Sequence, residues 1–393
     1  MSPLKVMLVA AEPSGDSLGA GLAGALRARL GDQVELFGVG GPLMAREGII
    51  SPFDIEPLAV LGVFDALRAY PMVKRRAKEV GEMAARLRPD VAVLIDSWGF
   101  TLRAAHAIRR LSGDVTLVKY VGPQVWATRP GRARTLARAV DRLLTIHAFD
   151  GPWFERAGLP TTFVGNPVLS VDRPCATALA HFREEVGAGH DDPILLVAPG
   201  SRRGEVERLI GPFGGAAGLL ERKSPGLKVV VLAADAVAEQ VEAGARSWAV
   251  PCRVVQGENS RRCAMAAATL ALACSGTVTT ELAAMGAPIV VGYRLDPLAY
   301  PIAKALIRTP YITLLNVAAG RMVAAELIQG ACTGPRLAAA LSPLLHDEAV
   351  RNAQIEAQFA ALEIMRGGVS EPAVAAASAV IAAASAAAPR HAS

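Results

Sequence analysis

Short, β-rich and largely apolar runs alternate with longer stretches of helical periodicity along almost the entire chain, and this rhythm leaves few architectures open. Lys5–Ala11 and Val91–Ile95 are apolar almost throughout, and Val115–Val121, Arg142–His147 and Thr161–Val164 are shorter β-rich runs without strict alternation, so all five read as buried strands of a parallel sheet. The rhythm breaks over residues 170–192, which hold Asp, Pro, Gly and His, and restarts with Pro193–Ala198, Leu227–Ala233, Cys252–Val255, Thr269–Cys274 and Pro288–Gly292. Two successive βα arrays predict an α/β protein of two Rossmann-like doubly wound domains facing a cleft, residues 1–170 and 171–349. A helical segment, 350–385, is expected to pack back on the first domain. Ligands of such sheets sit beyond the C-terminal ends of the strands, so function is expected in the cleft.

Composition agrees with two packed cores. The chain has 393 residues, 52% of them hydrophobic and 20% charged, which excludes wholesale disorder. Lys and Arg number 41 against 36 Asp and Glu, a net charge of +5 that tolerates anions but is too mild to name nucleic acid as a partner. Five cysteines, widely spaced and without a CxxC pair, indicate neither a disulfide framework nor a zinc site, and a reducing, cytoplasmic setting fits best. No run reaches the ~18 apolar residues of a spanning helix, so contact with a membrane is expected from its surface only. Of the last 23 residues 12 are alanine, giving high helix propensity with few anchoring side chains, and the final residues are expected to fray.

Four turns carry the candidate chemistry. The first strand runs into AAEPSGDSLGAGL, where Ser14, Gly15 and Asp16 either offer amides and a helix start to an anion or, through Ser14 or Asp16, merely cap the helix. Asp96 follows the run VAVLI, at a strand's C-terminal end, where a carboxylate can accept a proton from a sugar hydroxyl; the alternative is a helix cap, which Ser97 could equally supply. In APGSRRGEV, Gly200 frees the backbone, Ser201 adds a hydroxyl and Arg202 a planar fork, a set matched to a diphosphate. An arginine at a helix start opposes the dipole unless an anion offsets it. CSGTVTTEL repeats the pattern, with Ser275, Gly276 and Thr277 at a helix start and Glu281 a turn later, placed for a ribose diol or for capping by Ser275 or Thr277. Asn316, Gly320, Arg321, Glu326 and Gln329 form a late polar cluster. A second glycine cluster, FGVGGP, allows close backbone approach.

Two surface features suit an amphiphilic partner. The apolar run from Leu58 to Leu67 leads into Lys74, Arg75, Arg76 and Lys78, a combination fitted to an acylated phosphorylated substrate or an anionic bilayer, and equally to a core helix with a solvated end. Arg129, Arg132, Arg134, Arg138 and Arg142 form a second basic run beside YVGPQVW.

With these residues in order, the sequence resembles the lipid-A-disaccharide synthase family. The resemblance runs from AAEPSGDSLGAGL through FGVGGPLMAREG, LAVLGVFDAL, RPDVAVLIDS, KYVGPQVWA and FVGNPVL to APGSRRGEV, CSGTVTTELA, PIVVGYR and NVAAGRMVAAELIQ. It implies a GT-B fold and an inverting transfer that uses no cofactor and no metal. The sugar of a UDP-2,3-diacylglucosamine donor passes to the 6-hydroxyl of an acylated glucosamine 1-phosphate acceptor, releasing UDP. It also implies peripheral association with an anionic membrane surface, at the inner face of the bacterial inner membrane, and leaves room for a homodimer. By matching positions, Asp96 is the catalytic base, while Arg202, Ser275, Gly276, Thr277, Glu281, Asn316 and Arg321 face substrate. The family commonly continues after the aspartate with Ala-Pro-Asp-Phe, where this chain has Ser97-Trp98-Gly99-Phe100; Asn166 stands for a histidine, Thr128 for a tryptophan and Leu315 for a proline. Asp96 is thereby left as the lone obvious base. A diverged GT-B relative or sugar-nucleotide epimerase with a soluble substrate, and a non-catalytic sugar-nucleotide or anionic-lipid binding protein, are the alternative readings.

Overall fold

The structure is a computed structural model that describes residues 2–58, 63–170, 172–296, 300–301, 304, 307 and 309–386, with the backbone alone described over 63–69 and at 170. The chain divides into two compact units, Met1–Pro167 with Arg366–Ser393, and Val168–Met365.

In the first unit, β1 (Leu4–Ala10), β2 (Val34–Val39), β3 (Val91–Ile95), β4 (Thr116–Tyr120), β5 (Arg142–Thr145) and β6 (Thr161–Phe163) form one sheet in the order β2-β1-β3-β4-β5-β6, parallel throughout. The helices between them are α1 (Pro13–Leu30), α2 (Pro42–Arg46), α3 (Val63–Leu87), α4 (Trp98–Leu111), α5 (Gly131–Ala137) and α6 (Gly151–Glu155). Period-two alternation divides β1 between two cores: Val6, Leu8 and Ala10 pack with Leu22 and Leu26 of α1, while Met7 and Val9 pack with Val80 and Ala84 of α3 and Ala104 and Ile108 of α4.

In the second unit, α7 (Ala176–Glu185) precedes β7 (Ile194–Ala198), followed by α8 (Arg203–Lys223), β8 (Lys228–Leu232), α9 (Ala238–Arg246), β9 (Cys252–Val255), α10 (Glu258–Ala267), β10 (Leu270–Ala273), α11 (Thr277–Ala284) and β11 (Ile289–Tyr293). Then come α12 (Leu314–Ala319), β12 (Ala325–Ile328), α13 (Gly334–His346) and α14 (Glu348–Arg366). The sheet order is β12-β11-β10-β7-β8-β9, again parallel throughout. Leu195 and Val197 face α8 and α13 through Leu209, Phe213 and Leu341, and Ile194 and Leu196 face the opposite core with Leu282 and Leu362. Removing one of these buried leucines would cost about 2–5 kcal/mol, because the cavity left behind closes only in part.

The C-terminal segment is two helices with different partners. α14 keeps Ala361, Leu362 and Met365 in a core of the second unit. Gly367 and Gly368, at φ +51° and +79°, turn the chain, and α15 (Pro372–Ala386) lays Ala376, Ala377, Val380 and Ala383 beside α1 in the first. The expected fraying of the last residues falls on 387–393, outside the described residues. Among the described residues no helix is long and apolar enough to cross a membrane.

Both sheets reverse strand order once, between β1 and β3 in the first and between β7 and β10 in the second. Such switch points open a crevice between diverging loops, and the four turns singled out in the sequence are the loops after these four strands.

Candidate functional site

In the second unit a cavity of about 320 Å³ opens at the switch point, lined among others by Gly200, Ser201, Arg202, Ser275, Gly276 and Thr277. Two helices start on it. The first amides of any helix lack intrahelical acceptors and carry partial positive charge, so α8 and α11 together present an anion-accepting wall. Gly200 lies at φ +124°, and a Cβ there would sit 2.8 Å from the Glu205 Cβ, so glycine is required for the chain to turn into α8. Leu232, Ala233, Val255 and Val278 supply an apolar flank suited to a flat ring. Burial pushes the neighbouring Cys274 thiol up to about 12, leaving it a neutral wall atom.

Local partners refine the sequence expectations. Arg202 is the N-cap residue of α8 and is offset by Glu205, whose carboxylate accepts from its Nη1 at 3.1 Å. Glu205 therefore offsets the arginine at this helix start without an external anion. Neither Ser275 nor Thr277 caps α11: Gly276 holds the cap position, Ser275 Oγ donates to the Ile312 carbonyl at 2.9 Å, and Thr279 Oγ1 donates to the Gly276 carbonyl at 2.8 Å. Glu281 is not among the residues lining the cavity; it is held by Arg261, which is, and which sequence reasoning missed because the two are 20 residues apart.

Asn316 is fully buried and spends its whole hydrogen-bonding capacity on the protein. Its Nδ2 donates to the Ala324 carbonyl and to Glu326, and its Oδ1 accepts from the Val323 and Ala324 amides. It fastens α12 to the start of β12. Arg321 is exposed and is absent from the cavity lining.

At the switch point of the first unit, Asp96 and Ser97 occupy left-handed backbone at φ +49° and +38°, unusual for residues with a Cβ and worth about 1–3 kcal/mol of strain each. The turn aims the half-buried Asp96 carboxylate at the loop after β1, where Ser14 Oγ donates to Oδ2 at 2.7 Å. At Gly15 the tight neighbour of an added Cβ would be the Ala10 Cβ at 3.3 Å, so glycine eases the packing of α1 on the end of β1, while the Ile95 carbonyl oxygen at 3.4 Å would be in ordinary contact. Ser97 is at the N-cap of α4 without a side-chain cap bond, and neither Ser14 nor Asp16 caps α1, whose N-cap is Glu12. Asp16 is buried and accepts from the amides of Gly41, Leu43 and Met44 at 2.7, 2.9 and 3.0 Å, holding the start of α2.

Beneath the Asp96 turn lies a lysine that sequence reasoning read only as part of a strand. Lys119, 2% exposed, donates from Nζ to the Asp96 carbonyl and, at 2.8 Å, to Thr101 Oγ1. Burial lowers its pKa to about 7, against the opposing pull of Asp96 and Glu12. In the adjoining loop Asp150 accepts from Trp126 Nε1 at 2.7 Å and is pushed up to about 7 by burial, while burial drives His147 down to about 4.

Two doubly wound parallel domains, with an anion-accepting cavity at the second switch point, define the architecture shared by nucleotide-sugar glycosyltransferases and epimerases. Solved structures of similar fold include the S. aureus MnaA-UDP co-structure (TM-score 0.63, 13% identity, covering 92% of this chain and 94% of that one). UDP-GlcNAc 2-epimerase from Neisseria meningitidis bound to UDP-GlcNAc gives 0.63 at 12%, covering 96% and 100%, and a glycosyltransferase from Rickettsia africae gives 0.60 at 10%, covering 99% and 100%. The sequence model of the lipid-A-disaccharide synthetase family matches residues 6–379. The lipid-A-disaccharide synthase of Rhodospirillum centenum is 40% identical over 356 residues, 91% of this chain and 88% of the relative, and that of Paramagnetospirillum magneticum is 40% identical over 378 residues, 96% of each. The chain belongs to the lipid-A-disaccharide synthase family.

Proposed function

We propose that the protein is the inverting glycosyltransferase that joins UDP-2,3-diacylglucosamine to 2,3-diacylglucosamine 1-phosphate, forming the lipid A disaccharide and releasing UDP. The observation that carries this reading is the cavity at the α8 and α11 helix starts in a chain of this family. The acceptor's 6-hydroxyl attacks C1 of the donor sugar, the bond from C1 to the diphosphate oxygen breaks, and UDP leaves with the electron pair. Asp96 takes the hydroxyl proton; Ser14 orients its Oδ2, which leaves Oδ1 to receive it. The first-turn amides of α8 and α11, with Ser201 and Arg202, stabilise the charge gathering on the departing diphosphate. Glu281, aligned by Arg261, is assigned to the ribose diol. Asn316 and Asp16 act through the loops they hold, and Gly15 through the close approach it permits.

Association with an anionic membrane surface belongs to the same reading, since both substrates are acylated. Its basic stretch on α3 is partly neutralised, with Arg75 and Arg76 on Glu79 and Lys78 on Glu82, and the adjoining apolar run lies outside the described residues at 59–62. Incubating purified protein with donor and acceptor tests the function: equimolar UDP and disaccharide are expected. UDP without disaccharide, or no turnover with an intact fold, refutes it.

A further inference from the structure

The loop after β4 is fixed in place before it reaches α5. Val125 is fully buried, the Trp126 ring meets Phe149 edge-on at 5.3 Å, and its Nε1 is tied to Asp150. What this anchored loop presents is a pair of arginines. Arg129 sits in left-handed backbone at φ +48°, an outlier that a surface arginine gains nothing by adopting. Arg132 lies 5.2 Å above the ring of Trp98, the first residue of α4 and the second after Asp96. A cation over an aromatic face gains from the ring without spending its N–H donors, which stay available to bind carboxylate or phosphate in a fork.

The electrostatics of the pair are uncompensated. Arg132 is partly buried, and burial followed by the like charge of Arg129 lowers its pKa; no carboxylate acts on it among the described residues. Other arginines of this unit show the ordinary solution, Arg76 on Glu79 and Arg109 on Asp141. Two arginines three residues apart, joined by the Arg132 amide donating to the Arg129 carbonyl at 3.0 Å and sensing each other's charge, with no acid paired to either among the described residues, lie beside the turn that carries the candidate base and make a site for a dianion.

We propose that Arg132 and Arg129 bind the phosphomonoester of the acceptor sugar, and so deliver its hydroxyl to Asp96. This rests on the acceptor reading given above. A phosphomonoester carries close to two negative charges at neutral pH, matching two guanidiniums, and Arg132 reaches the Asp96 turn through Trp98, one of the positions at which this chain departs from the common Ala-Pro-Asp-Phe. The same chemistry is offered by an anionic phospholipid headgroup, and the experiment separates the two.

Wild type, Arg129→Ala, Arg132→Ala, Arg132→Lys and, as a control at an exposed position further along α4, Arg110→Ala are assayed in neutral detergent micelles. Each is given the acylated glucosamine acceptor with and without its 1-phosphate. The ratio of kcat/KM for the phosphorylated over the unphosphorylated acceptor should fall about tenfold or more in Arg129→Ala and Arg132→Ala and less in Arg132→Lys, with the control ratio unchanged and the donor KM unmoved. A ratio equal to wild type in both alanine variants overturns the proposal while leaving the glycosyltransferase reading intact. Absence of disaccharide from wild type itself would instead remove that reading. A parallel co-sedimentation with phosphatidylglycerol vesicles decides the source: lost vesicle binding together with an unchanged acceptor ratio assigns the pair to the bilayer and overturns the acceptor site.

Discussion

Lys119→Met should erase a pH dependence of stability that the wild-type protein carries above neutrality. The side chain is 2% exposed, and burial lowers its pKa from 10.5 to about 7. Between these values the unfolded chain holds a proton that the folded chain has released, so wild-type stability rises with pH. Above 10.5 the folded state carries no penalty from this residue. As pH falls towards 7 the penalty builds, and below 7 it is complete. At about 1.4 kcal/mol for each tenfold change in proton affinity, it reaches roughly 5 kcal/mol. Methionine matches the lysine stem in length and has no charge to desolvate, while Thr101 Oγ1, 2.9 Å from both the Asp96 and Ser97 carbonyls, remains to cap the turn. Three of the four tryptophans, Trp98, Trp126 and Trp153, lie in this unit, so denaturant unfolding of a Trp248→Phe background, followed by tryptophan fluorescence, reports on it. The variant should gain on wild type steadily as pH is lowered from 10 to 7. Wild-type and variant midpoints that run parallel over this range would refute the claim that a lysine is buried here at such cost.

Three further outcomes follow from the same geometry. Asp150, raised from 3.8 to about 7, holds its proton in the folded state at pH values where the unfolded chain has lost it, so its contribution is full below about pH 4 and disappears as pH rises through 7; Asp150→Asn should flatten that slope in thermal unfolding between pH 4 and 7 while keeping an acceptor for Trp126. Asp96→Ala should lower kcat by about a hundredfold or more with UDP affinity unchanged, because a general base acts in the transition state; near-normal turnover removes it from that role. Arg202→Ala should weaken UDP binding by about tenfold in calorimetry through the loss of a charge-assisted contact, and an unchanged affinity would take Arg202 out of the diphosphate site.

Where burial is two-sided, the strands were legible in the sequence. VAVLI and ILLVA are apolar at every position because helices cover both faces, and all five residues of each are buried. β12 was missed for the converse reason: Ala325–Ile328 is a short edge strand, half-buried at each position, with Glu326 in it, so neither periodicity nor apolarity marks it. The glycine- and serine-rich turns were visible because helix starts and close approach restrict residue type. Their partners were not. Asp16 reads as a cap for its own helix, yet its carboxylate serves amides 25 to 28 residues away, and Asn316 reads as a ligand contact while its four hydrogen bonds stay within the protein. Lys119 was hidden by its place in a strand, since a sequence does not disclose that a polar side chain is buried until the turn above it is known.

A crystal structure with UDP bound tests most directly whether the two helix starts of the second unit hold the nucleotide. The diphosphate should lie against the first-turn amides of α8 and α11, within hydrogen-bonding reach of Ser201 and Arg202, with the ribose hydroxyls at Glu281. Nucleotide density away from these two helix starts, with the cavity between Gly200 and Thr277 left empty, would contradict it.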